Sequence, residues 1–139
     1  MQHVIPGRQI VVEHNGAADL HVGAVALATG LADKAVILFY ERALHKETSQ
    51  LWIDRCRTQI SAVLDVLERE RANVSTTFWH GKAIGHADIA VACVLRFTAE
   101  AHPGLLAATR YPALLAHAAR CEALPPFLEI VQPLSPPSG

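Results

Sequence analysis

Seven consecutive apolar residues, Ile89-Ala-Val-Ala-Cys-Val-Leu95, stand between Asp88 and Arg96 and constrain the fold more than any other stretch of the chain. A helix through them is apolar around its whole circumference, a pattern that only a helix enclosed by others tolerates. The segment built on this run, residues 85–101, ends at Pro103-Gly104, a pair that stops helices. The rest of the chain has to supply the enclosing shell.

Three further segments carry helical periodicity. From Ala17 to about Lys46, Leu20, Leu27, Leu31 and Leu38 share one face, and Val22, Val25, Val36 and Tyr40 form a second apolar stripe on a neighbouring arc. A helix apolar on two arcs is expected to pack on two sides and to be central. Gly23 and Gly30 lie on the remaining side. Each costs about 1 kcal/mol relative to Ala in a helix, so together they predict either a close helix–helix approach or a break at Gly30. Thr48 or Ser49 caps the next helix, which runs to about Arg71 with Trp52, Ile53, Cys56, Ile60, Val63, Leu64 and Leu67 on its apolar face. Pro112 fits the first turn of a fourth helix carrying Leu114, Leu115, Ala118, Ala119 and Cys121. Pro125-Pro126 ends it and starts a short turn through Phe127, Leu128, Ile130 and Val131. The expected fold class is therefore all-α, a helical bundle of four main helices plus a short C-terminal turn around one core. That domain covers residues 17–131. Residues 1–16 form a short arm whose β-prone run, residues 9–14, reads as a single strand, and residues 132–139, with their three prolines, are expected to be a disordered tail.

Charge and composition narrow the function classes. Lys+Arg 12 against Asp+Glu 13 leaves a net charge of -1, which offers no basic surplus for a phosphate backbone, so nucleic acid is not an expected partner. The richest apolar segment, residues 24–40, is interrupted by Thr29, Gly30, Asp33 and Lys34, and no membrane span is expected from it. Cys56, Cys93 and Cys121 are an odd set without a CxxC pair, each within an apolar periodic segment. They read as free buried thiols in a reducing, cytoplasmic compartment. None of the eight histidines has another four residues away, so no metal site is expected.

The segment Gly81-Lys-Ala-Ile-Gly-His-Ala-Asp-Ile89 opens the enclosed helix. With Gly85 at the N-cap, Asp88 falls at the third helical position, where its carboxylate can accept from the cap N–H and meets the positive helix end. Ile84 and Ile89 occupy the two positions of a hydrophobic staple. Gly85 supplies no side-chain acceptor, so only half of a reciprocal capping box is available. This segment resembles the capping-box and staple segment of the C-terminal helical domain of glutathione S-transferases, where Ser or Thr stands at the cap. Phe78-Trp79-His80-Gly81 resembles the loop leading into that helix, Arg110-Tyr111-Pro112-Ala113-Leu114 the opening of the following one, and Cys121-Glu-Ala-Leu-Pro-Pro-Phe127 the closing stretch. The resemblance covers residues 16–133.

The resemblance implies a fold of the glutathione S-transferase C-terminal type and a role in forming the apolar wall of the pocket for an electrophile, as well as part of a dimer interface. In the family, glutathione is held and its thiolate stabilised by a thioredoxin-like domain that precedes the helices. Sixteen residues cannot contain such a unit, so this chain is expected to bind no cofactor alone, to carry no catalytic residue and to have glutathione chemistry only by implication. By the same resemblance Phe39 and Tyr40 would touch a hydrophobic small molecule, and Lys34 or Arg42 an anionic one. The alternative is a non-catalytic module that forms a homodimer, or binds a partner, through the face of the first helix that the missing domain would cover.

Overall fold

The computed structural model describes residues 16–44, 49–130 and 132–135, with side chains of the first helix described from Gly23 onward. The expected strand at residues 9–14 and the Thr48 cap lie outside the described residues. Five α-helices follow one another: α1 (Gly16–Leu44), α2 (Gln50–Ala72), α3 (His86–Ala101), α4 (Pro112–Glu122) and α5 (Pro125–Glu129). Helix α3 packs on α1 and α4, and α2 packs on both α1 and α4.

The starts of α2 and α4 have physical causes. Ser49 caps α2, its hydroxyl accepting from the Trp52 N–H at 3.3 Å. Helix α4 has Pro112 in its first turn and no cap from its own N-cap residue, Tyr111. Its free N–H groups are taken up from another helix: Glu68 of α2 accepts from Ala113 at 3.1 Å and from Leu114 at 3.0 Å. Beside this junction Arg110 donates twice to Asp65, at 3.0 and 2.7 Å. That bidentate pair and the Glu68 cap tie the 103–111 connection onto α2. At the α2–α3 connection the Phe78 N–H donates to the Gly81 carbonyl at 2.8 Å. Gly81 closes that tight bridge with φ +151, a conformation side chains rarely adopt.

The main core cluster joins four helices, and a smaller one gathers Phe78, Ala92 and Cys121. Ala24, Ala28, Leu31, Ala35 and Leu38 from α1 meet Ile53, Cys56, Ile60, Leu64 and Leu67 from α2, with Ala87, Val91, Val94 and Leu95 from α3 and Leu114 from α4. The alternating steps of four and three along α1 are the signature of one face of a helix. A buried polar clamp joins α1 to the end of α3. His102, the C-cap of α3, donates through Nε2 to the Ala35 carbonyl at 2.8 Å. A carbonyl only accepts, so the ring carries its proton on Nε2. Burial holds its pKa below the ordinary histidine value.

Several expectations are corrected. Of the second stripe on α1, Val25 packs against the core cluster and the side chain of Val22 lies outside those described; Val36 and Tyr40 are 38 % and 47 % exposed, as are Ile37 and Leu44 beside them at 55 % and 53 %. Helical geometry places these four on the side away from the Ala24–Leu38 core face. Gly23 and Gly30 mark neither a close approach nor a break, because nothing lies within 4 Å of a Cβ at either position and α1 runs unbroken through both. Residues 23–44 are, against the expectation from their interruptions, long and apolar enough to cross a membrane by length and composition. Helix α3 is not enclosed all round, since Ile89 is 43 % exposed and Cys93 is an exposed thiol rather than a buried one. Within the segment expected to be a disordered tail, residues 132–135 are described without regular secondary structure, and the Leu134 N–H donates to Glu100 Oε2 at 3.1 Å.

Candidate functional site

Helix α3 organises both the buried polar centre and the open groove. At its start the Gly85 N–H donates to Asp88 Oδ2 at 2.8 Å, and the Trp79 N–H donates to Asp88 Oδ1 at 2.8 Å. One carboxylate thus caps the helix and fixes the preceding loop. Asp88 is 1 % exposed, and the bond to Trp79 is fully buried, where a hydrogen bond is stronger than in water. Helix α4 brings His117 against the same group, with Nε2 3.5 Å from Asp88 Oδ1. The edge of Trp79 meets the His117 ring at a centroid distance of 5.3 Å. Burial depresses the His117 pKa to about 4, outweighing the opposing pull of Asp88, so the ring is neutral at pH 7 and the contact is not an ion pair. Cys121 lies 3.7 Å from His117 Nε2. Its thiol is pushed up to about 11, chiefly by burial and then by Asp88, and it holds no thiolate to act as a nucleophile.

The outward face of α3 forms the floor of a groove of about 520 Å³, with α5 and residues 132–135 as the opposite wall. Ile89, Cys93, Phe97, Phe127 and Leu134 give it an apolar lining. A shallower hollow of about 300 Å³, between α1 and α3, is lined by Ala32 and Val36 and shares Cys93 and Phe97 with the groove. The charged groups at the groove are committed to one another. Arg96 donates to Glu100 at 3.1 Å and to Glu122 at 3.2 Å, while Glu100 also accepts from the Leu134 N–H. That network fastens the 132–135 segment along the groove. Partial burial, then the Glu122 charge, raises the Cys93 pKa, so the groove offers a neutral thiol. Among the described residues there is no group of three metal-binding side chains. The arrangement can hold an apolar group and exclude water from it; its charged groups serve the Arg96 network and its thiol is not activated.

The four residues suggested as substrate contacts do not gather there. Phe39 is half-buried and meets Phe97, a lining residue, edge-on at a centroid distance of 5.9 Å. Lys34, Tyr40 and Arg42 are not among the residues lining the groove or the hollow. Tyr40 and Arg42 are exposed and Lys34 is half-buried. Of the two staple positions, Ile84 packs with Phe78, Ala92 and Cys121, whereas Ile89 lines the groove. Sequence reading missed Cys93, Phe97 and Phe127 as lining residues, although their pattern held a signal. Ile89, Cys93, Arg96, Phe97 and Glu100 follow one another at helical spacing and define a single side of α3.

A family profile described as "Glutathione S-transferase, C-terminal domain" matches residues 50–120. The chain belongs to this family. The match takes in α2, the Asp88 cap, α3 and most of α4. Among solved structures, the chain is similar to a glutathione S-transferase from Methylobacterium radiotolerans in complex with glutathione sulfonate, at 23 % identity and a TM-score of 0.78. That alignment covers 96 % of this chain and 63 % of the other. A glutathione S-transferase from Xanthobacter autotrophicus is similar at 20 % identity and a TM-score of 0.64, over 94 % of this chain and 60 % of its own. The chain thus spans less than two thirds of the glutathione S-transferases it superposes on. No curated protein matches it.

Proposed function

We propose that this glutathione S-transferase C-terminal domain supplies the apolar wall against which a hydrophobic electrophile rests while glutathione is held by residues outside the helical bundle. The observation that supports this reading is the α3–α5 groove, lined by Ile89, Cys93, Phe97, Phe127 and Leu134 and closed by the tethered 132–135 segment. The one cation of its lining, Arg96, is spent on Glu100 and Glu122, so the helical domain binds and shields without activating the thiol. The chain's three cysteines are free, which fits a reducing, cytoplasmic setting.

Equilibrium dialysis of an aromatic chromogenic electrophile against the full chain tests the reading. Phe97→Ala removes an aromatic wall and is expected to weaken binding about tenfold, the worth of one buried ring contact. Binding unchanged by Phe97→Ala would refute the groove as the site. Glutathione-dependent turnover by this chain alone would refute the division of labour.

A second reading rests on a different observation. The exposed apolar stripe of Val36, Ile37, Tyr40 and Leu44 on α1 favours a face that is covered in use, by a second copy of this chain or by another protein.

A further inference from the structure

On the side of α2 and α4 away from the groove, the loop after α2 leaves a polar hollow of about 430 Å³ lined by Arg71, Arg120, Ser75, Thr76 and Thr77. Arg71 is 4 % exposed. One end of its guanidinium is spent on the loop, Nη2 donating to the Thr76 carbonyl at 2.7 Å and the Thr77 carbonyl at 3.1 Å. Its Nη1 has no acceptor, and neither has the buried Nε of Arg120. A buried guanidinium N–H without a partner forfeits a charge-assisted bond.

Burial and then the Arg120 charge hold the Arg71 pKa below the ordinary value, and Asp88 is the carboxylate that opposes them. Both Asp88 oxygens already accept backbone N–H groups from Trp79 and Gly85. His117 and Cys121, the other titratable groups at this centre, are neutral at pH 7. Arg71 and Arg120 thus bring two guanidiniums to the wall of the hollow, while Glu122, the other carboxylate at this centre, is held by Arg96. Around the hollow stand the Ser75 and Thr77 side chains, while the Thr76 hydroxyl is committed to the Phe78 carbonyl. Burying a charge is costly, and a bound counter-charge lowers the cost.

We propose that this hollow, between the 73–77 loop and α4, is a binding site for a small tetrahedral oxyanion, a phosphate group recognised by Arg71 and Arg120 together with the Ser75 and Thr77 hydroxyls. The planar guanidinium fork matches phosphate oxygens in a way a lysine ammonium does not. The hollow also has room beyond the anion itself, so the phosphate of a small phosphomonoester fits the same chemistry as inorganic phosphate.

The test titrates the full chain with millimolar inorganic phosphate and, separately, with a sugar monophosphate, at ionic strength held constant with chloride. The low concentration keeps general salt exclusion from contributing. The expected result is a saturable shift of the Arg71 and Arg120 Nε–Hε resonances and a rise in unfolding temperature that chloride does not produce. Tighter binding of the ester assigns the site to a phosphorylated metabolite, and equal or tighter binding of inorganic phosphate to the free anion. Arg120→Gln weakens binding about tenfold or more, the worth of one hydrogen bond to a charged group. Ser75→Asp, on the exposed loop, sets a competing carboxylate at the rim and abolishes the response, while Arg55→Gln on the far surface of α2 leaves it intact. A response no larger than that to chloride, or one that survives either Arg120→Gln or Ser75→Asp, would overturn the proposal.

Discussion

At the residue scale, the molecule turns on one carboxylate and the ring beside it. Asp88 accepts from the N-cap N–H of α3 and from the Trp79 N–H together, and the His117 ring is sealed from water beside it. The seal makes the fold acid-sensitive. The folded His117 pKa, at about 4, lies below its unfolded value of 6.5. Between these values the unfolded chain binds a proton that the folded chain refuses, so folding stability rises with pH across that window. The contribution is present above about pH 6.5 and is lost as the pH falls toward 4; its full size is on the order of 3 kcal/mol. Asp88, Arg71, Arg120 and Cys121 all face the ring, and the two arginines add to the penalty for charging it. Denaturant unfolding from pH 7.5 to 4 is expected to show this slope, with His102, also depressed, contributing in the same direction. His117→Gln should flatten the slope while lowering stability at pH 7. A slope unchanged in that variant would place the acid sensitivity elsewhere.

At the element scale, what is legible in the sequence depends on whether its cause is local. The helix start at Gly85 is legible because its cap lies within three residues: Asp88 reaches its own N-cap. The cap of α4 is not, because Glu68 reaches Ala113 and Leu114 from another helix. Asp65 shows the same limit. It pairs along α2 with Arg69 in sequence spacing, yet its bidentate partner is Arg110. Residues lining the groove are hidden for a related reason. A run such as Ile89–Leu95 announces burial, but it cannot say that α5 and residues 132–135 stand off from one side and leave Ile89 and Cys93 open. Gly30 misleads because a glycine in a helix invites a structural reason, and here none is found in the packing. That gives an expectation of its own. Gly30 sits mid-helix, and a methyl group on its Cα would meet nothing within 4 Å, so Gly30→Ala is expected to stabilise the chain by about 0.5–1 kcal/mol through helix propensity. A loss of stability in thermal unfolding would show instead that the bare backbone at Gly30 is needed by something docked on that side.

At the scale of the whole molecule, α1 is a helix with two apolar sides and a bundle on only one of them. The Ala24–Leu38 face is completed by α2 and α3, whereas Val36, Ile37, Tyr40 and Leu44 face away. Two-sided apolarity is visible in the sequence; which side the bundle covers is not, because that is decided by the tertiary arrangement of helices distant along the chain. An apolar stripe costs solubility when left bare and contributes nothing to the monomer's own core. Substitutions on it therefore separate folding from association. Ile37→Lys and Leu44→Lys, at positions 55 % and 53 % exposed, should leave the unfolding free energy within about 0.5 kcal/mol of the parent, as surface changes do. The same pair should shift sedimentation of the chain toward the monomer, because a lysine in the centre of a buried apolar contact carries an unpaired charge into it. If the parent chain already sediments as a monomer and the double variant differs in neither stability nor association, α1 does not meet a second copy there.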